Sequence, residues 1–95
     1  MKGTFEEFEQ LVKSELPGAE VFDRSNHWLV IYKNIYANYF GKSKSRTLYF
    51  PKVDGEKFGS RYQNVPFSGV ITAINEVDAN RRIVCKNKEL PLEQP

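Results

Sequence analysis

Cysteine and histidine are almost absent from this chain, with one of each among 95 residues. Cys85 alone can form no intramolecular disulfide, and one thiol with one imidazole cannot build a Cys/His zinc or an iron–sulfur site. A protein-only metal site would need a carboxylate cluster, and the sequence shows none, so neither metal nor cofactor is expected. No apolar run approaches the ~20 residues of a membrane-spanning helix, and Met1-Lys2-Gly3 opens no signal peptide. A soluble cytoplasmic protein without membrane partners is the expectation. Gly-rich phosphate loops, nucleophile elbows and HExxH helices are missing as well. These absences remove most large enzyme classes and leave a small binding module or a minimal enzyme.

What the chain does have is rings. Seven Phe, five Tyr and one Trp make up 14% of the residues, and each ring can bury ~150–250 Å². That payload suits a short chain, because a domain of this size buries only about 60–65% of its unfolded surface. The length allows one domain, expected over residues 1–90, with a frayed tail over 91–95.

The net charge of +2 conceals a strong asymmetry. Residues 1–30 hold three basic and six acidic side chains, for −3. Residues 31–63 hold seven basic ones (Lys33, Lys42, Lys44, Arg46, Lys52, Lys57, Arg61) against Asp54 and Glu56, for +5. The last third balances. A basic, aromatic-rich block behind an acidic start is either a solvated surface or an electrostatic footprint for nucleic acid.

Thr4-Phe5-Glu6-Glu7 reads as a capping box, and Phe5, Phe8, Leu11, Val12 and Leu16 follow at helical spacing. A first helix over about 5–16 is predicted, ended by Pro17-Gly18. Residues 19–33 read as a hairpin with its turn at Asp23–Asn26, and Tyr36, Tyr39 and Phe40 continue an extended segment to Gly41. A polar tip at 41–45 precedes another strand, Arg46–Phe50, which Pro51 should end. Residues 52–66 read as loop. The segment 68–84 is ambiguous. Val70, Ala73, Ile74, Val77 and Val84 fit a helix face with Ser68 as N-cap, whereas Val70–Thr72 and Arg82–Cys85 could pair about a turn at Asp78–Asn80. The helix is favoured. The expected class is α+β, a small antiparallel sheet of three to four strands with an N-terminal and a C-terminal helix on one face.

The stretch Phe5-Glu6-Glu7-Phe8, followed by Leu16-Pro17-Gly18-Ala19-Glu20-Val21-Phe22-Asp23-Arg24-Ser25-Asn26-His27-Trp28-Leu29-Val30, resembles the HicA family of toxin–antitoxin mRNA interferases. That resemblance implies a double-stranded-RNA-binding-domain-like α-β-β-β-α fold, with Arg46–Pro51 as third strand and Phe67–Val77 as second helix. It further implies an RNA substrate, a cognate antitoxin as partner, and His27 in the position of the family's catalytic histidine. Ser25-Asn26 stands where the family writes Gly-Ser, residues 34–45 are longer than its connection, and residues 84–95 extend beyond its usual end.

His27 fits that role chemically. RNA cleavage needs a base for the 2′-OH proton, and imidazole is the side chain whose ordinary pKa lies nearest neutrality. With a single histidine, charge stabilisation would fall to Lys33 or Arg46. A partly exposed structural histidine is the competing reading. On a strand over 27–33, Leu29 and Ile31 are expected to face the core. Trp28 and Tyr32 would then point outward, either to stack bases for ~1–3 kcal/mol each or to form an interface. The loop with Lys42, Lys44 and Arg46 is the phosphate-contact candidate. Cys85 and the tyrosines at 36, 39 and 49 read as packing. Three functions remain open: an endoribonuclease, a nucleic-acid binder without turnover, and a protein-interaction module using exposed aromatics.

Overall fold

A computed structural model describes residues 4–81 of the chain. The expected α+β class is present. An N-terminal helix α1 (Phe5–Glu15) is followed by strands β1 (Glu20–Asp23), β2 (Trp28–Tyr32), β3 (Ile35–Tyr39), β4 (Leu48–Val53) and β5 (Glu56–Tyr62), then a helix α2 (Phe67–Ala79). The strands pair in chain order, each antiparallel to the next. Thr4 caps α1 as the sequence predicts: its hydroxyl accepts from the Glu7 N–H, and the Glu7 carboxylate accepts from the Thr4 N–H.

Five strands replace the expected three to four because of two tight turns that the sequence reading passes over. Lys33-Asn34 and Asp54-Gly55 each hold two consecutive residues at positive φ (49° and 65°, 53° and 79°). That is the backbone of a two-residue hairpin whose twist matches its strands. The first turn splits the β2–β3 segment. The second converts most of the expected 52–66 loop into β5, with Phe58, Ser60 and Tyr62 on the core side. Pro51 does not end β4 either. It lies where the β4–β5 register slips between Phe50 and Lys52, and a residue without an N–H is tolerated at such an irregularity.

The ambiguous segment is helical, as α2. Its N-cap is Pro66 rather than Ser68, and no side chain caps it. Buried Val70, Ile71, Ile74 and Val77 form its inner face. The alternative pairing of Arg82–Cys85, the helix position of Val84 and the 91–95 tail lie outside the described residues.

Both helices cover one sheet face, and the centre of the core is a knot of rings. Phe8 meets Trp28, Tyr39 and Phe67 at centroid separations of 5.0, 5.2 and 5.2 Å. This packing inverts the expected facing of β2. Trp28 and Tyr32 point into the core at 2% and 8% exposure, while Leu29 and Ile31 lie half-buried on the opposite face. The reason is area. The helices present Phe5, Phe8 and Phe67 to Trp28, and the larger surface of an indole gains more from that contact than an aliphatic chain would.

Tyr39 adds a polar anchor inside this cluster. Its hydroxyl donates to the Val65 carbonyl over 2.5 Å. Burial raises its pKa above the ordinary 10.0, against a smaller opposing pull from the Arg46 guanidinium. The folded state therefore favours the neutral phenol. Its contribution is complete below pH 10 and is lost as the pH rises through the folded value. Tyr39→Phe is expected to cost about 1–2 kcal/mol at neutral pH. It should also flatten the alkaline fall in stability, measured by denaturant unfolding across pH 8–11, a window set on the ordinary phenol value of roughly 10.

Candidate nucleic-acid interface

The face of the sheet away from the helices is uncovered by any described element. Strand pairing arranges it as two rows. One runs Phe22–Leu29–Asn38–Tyr49–Arg61 and the other Glu20–Ile31–Tyr36–Lys52–Lys57, from β1 to β5. The β1–β2 half carries Phe22, Leu29 and Ile31, with Phe22 37% exposed, and Glu20 at its edge. The β3–β5 half alternates rings and cations. Lys52 Nζ lies 5.3 Å from the centroid of Tyr36, and the Arg61 guanidinium 4.9 Å from that of Tyr49.

Lys52 and Lys57 are directly opposed on neighbouring strands. Like charges in that position disfavour the pairing. Neither they nor Arg61 forms an ion pair among the described residues. Four of the six acidic side chains of the chain's start, Glu6, Glu7, Glu9 and Glu15, belong to α1, on the covered side of the sheet, while Glu20 stands on β1 at the far end of the Lys52–Lys57 row.

At one end of this face the β3–β4 loop and β5 enclose an open concavity of about 590 Å³. Its walls carry the rings of Phe40 and Tyr49, the amides of Asn38 and Gln63, the hydroxyls of Ser43, Ser45 and Thr47, and Arg61. Among the described residues no carboxylate lines it. The loop is ordered by its own hydroxyls. Ser43 Oγ donates to the Phe40 carbonyl (2.9 Å) and lies 3.3 Å from Ser45 Oγ, which lies 2.8 Å from Thr47 Oγ1.

His27 precedes β2 at this same end of the sheet. Its ring is half-buried and packs on Phe40 at 5.3 Å, and Nδ1 is 2.8 Å from Asn26 Oδ1. An accepting Asn26 oxygen leaves the proton on Nδ1 and the lone pair on Nε2, the tautomer a general base uses. Lys42 and Lys44 stand exposed on the adjacent loop. Arg46 is half-buried with its charge acting on the Tyr39 hydroxyl.

Lys33 is separate from this group. It occupies the β2–β3 turn at the far end of the strands, roughly 13–17 Å away at about 3.4 Å per residue, and its Nζ is 3.6 Å from Asp78 on α2. The Tyr32 phenol and Asp78 raise its pKa above the usual 10.5. Asp78 also accepts from Arg81, which bridges to Asp54. Lys33 thus belongs to a clasp holding the hairpin turns to α2. Trp28 and Tyr32 present no ring to the open face; the tyrosine rings on that face are those of Tyr36 and Tyr49.

No family model matches the chain, nor does any curated protein or solved structure. No described helix is long and apolar enough to cross a membrane, and no group of three metal-binding side chains occurs among the described residues.

Asn38 and Gln63 were missed from sequence, and Lys52, Lys57 and Arg61 were seen only as part of the basic block, because all five lie on or beside strands whose pairing is not foreseeable from composition. Alternation along 35–39, phased from the buried Tyr39, is the signal that would have put Tyr36 and Asn38 on the open side.

Proposed function

We propose that this protein binds RNA across its open sheet face, the β3–β5 half supplying rings for bases and cations for phosphates. The observation that carries the reading is a group of cations without ion pairs among the described residues, Lys52 opposite Lys57 with Arg61 in the neighbouring row, interleaved with half-exposed tyrosines. A polyanion relieves a repulsion that no ion pair compensates among the described residues. Lys42 and Lys44 extend the positive field along the loop.

Binding is better supported than turnover. His27 sits beside the concavity with Nδ1 against Asn26 Oδ1, yet among the described residues the lining offers no carboxylate or second imidazole to protonate a leaving group. An endoribonuclease of HicA type would have to draw that proton from water. Phe22, Leu29 and Ile31 favour a second reading, in which a protein such as an antitoxin docks on the apolar β1–β2 half.

The test is the salt dependence of single-stranded RNA binding. Replacing Lys52, Lys57 and Arg61 with glutamine should lower the slope of log affinity against log salt by about 2, at ~0.7 for each phosphate no longer neutralised. His27→Ala should leave affinity and slope unchanged. A salt-insensitive wild type, or a triple variant with the wild-type slope, would sink the RNA reading and leave the apolar half as the interface.

A further inference from the structure

The hydroxyl ladder in the concavity has a direction. Ser43 spends its proton on the Phe40 carbonyl, and its oxygen already accepts from the Arg46 N–H at 3.2 Å. The 3.3 Å contact to Ser45 must then be made by the Ser45 proton, and the 2.8 Å contact to Ser45 by the Thr47 proton. Each hydroxyl has one proton and two lone pairs. All three protons are consumed inside the loop, and Thr47 Oγ1 is left with lone pairs only. The hydroxyls of this wall can accept hydrogen bonds but not donate them.

The remaining walls are matched to a flat, polar guest. Tyr49 with Arg61 stacked on it offers a platform, and the amides of Asn38 and Gln63 can each donate and accept. The volume of about 590 Å³ lies in the range of small-molecule sites. A guest meeting lone pairs must bring a donor. Cytosine and adenine carry an exocyclic amino group, whereas uracil turns a carbonyl oxygen in the corresponding position. Against Thr47 that oxygen would find lone pairs facing lone pairs.

We propose that this concavity holds one unpaired amino-bearing base, cytosine or adenine, of a single-stranded RNA, and discriminates against uracil through Thr47. The inference rests on the RNA-binding reading and adds base selectivity to it.

Short fluorescently labelled oligocytidylate and oligouridylate, compared by anisotropy at one ionic strength and neutral pH, test it, since the two bases have the same ring size. Oligocytidylate should bind roughly tenfold more tightly, as one well-made base contact gives. Thr47→Val keeps the shape and β-branching but removes the lone pairs, and should bring the two affinities together. Thr47→Ser should restore the difference. Equal wild-type affinities, a preference that survives Thr47→Val, or a weakening in Thr47→Val that is the same for both oligonucleotides would overturn base selectivity while leaving RNA binding in place. Binding of neither oligonucleotide would overturn both.

Discussion

Alanine at both Tyr36 and Tyr49 is expected to weaken single-stranded RNA binding by about 2–6 kcal/mol, at least roughly 30-fold. Stacking a base on an aromatic ring is worth ~1–3 kcal/mol, and the two rings lie on neighbouring strands in separate rows of the open face. Both are half-buried and on the side away from the helices, so truncation should leave the core intact. Removing the cross-strand packing on Lys52 and Arg61 should cost no more than about 1 kcal/mol of stability per site. Phenylalanine at both positions should retain most of the affinity, because the ring face and not the hydroxyl meets the base. Anisotropy titrations paired with thermal melts separate these effects. Normal binding by the alanine variant, with an unchanged melt, would place the interface off this face.

The helices and the general order of elements were legible because their signals are local. The capping box at Thr4–Glu7 and the apolar spacing from Phe5 to Leu16 are contained within one stretch, as is the inner face of α2. The extra strands were concealed by turn chemistry. Lys33-Asn34 lacks a glycine although both residues take positive φ, and Asp54-Gly55 was absorbed into a loop despite being a strong hairpin signal.

The candidate site was harder to read because it is made by register. Nothing in the chain order places Lys52 beside Tyr36, or Arg61 over Tyr49. Those neighbours follow only once β3, β4 and β5 pair, with slips of register between Tyr36 and Asn38 and between Phe50 and Lys52. The basic block over 31–63 was visible as composition. Its division into a structural clasp around Lys33, an exposed loop and a stacked row on the sheet was not.

The facing of β2 was misread for a different reason. Period-2 alternation says which residues share a side, but not which side is covered. Trp28–Val30–Tyr32 and Leu29–Ile31 are both apolar sets, and the decision belongs to the helices that pack on them. Trp28 is the sharpest test of that decision. It touches Phe5, Phe8, Tyr39 and Phe67 at centroid separations of 5.7, 5.0, 6.1 and 5.9 Å.

Trp28→Ala should therefore destabilise the fold by about 3–5 kcal/mol, since both the transfer of a large ring and the cavity it leaves count against the native state. Small domains have total stabilities toward the lower end of about 5–15 kcal/mol. The variant should melt roughly 15–30 °C below the wild type. As the sole tryptophan, Trp28 also reports on itself. In the wild type its emission should be blue-shifted and resist iodide quenching, and saturating RNA should leave it unchanged. If Trp28 instead stacked bases, RNA would quench that emission and Trp28→Ala would lose affinity without losing stability. That pattern would reverse the two faces of the sheet and move the interface to the helix side.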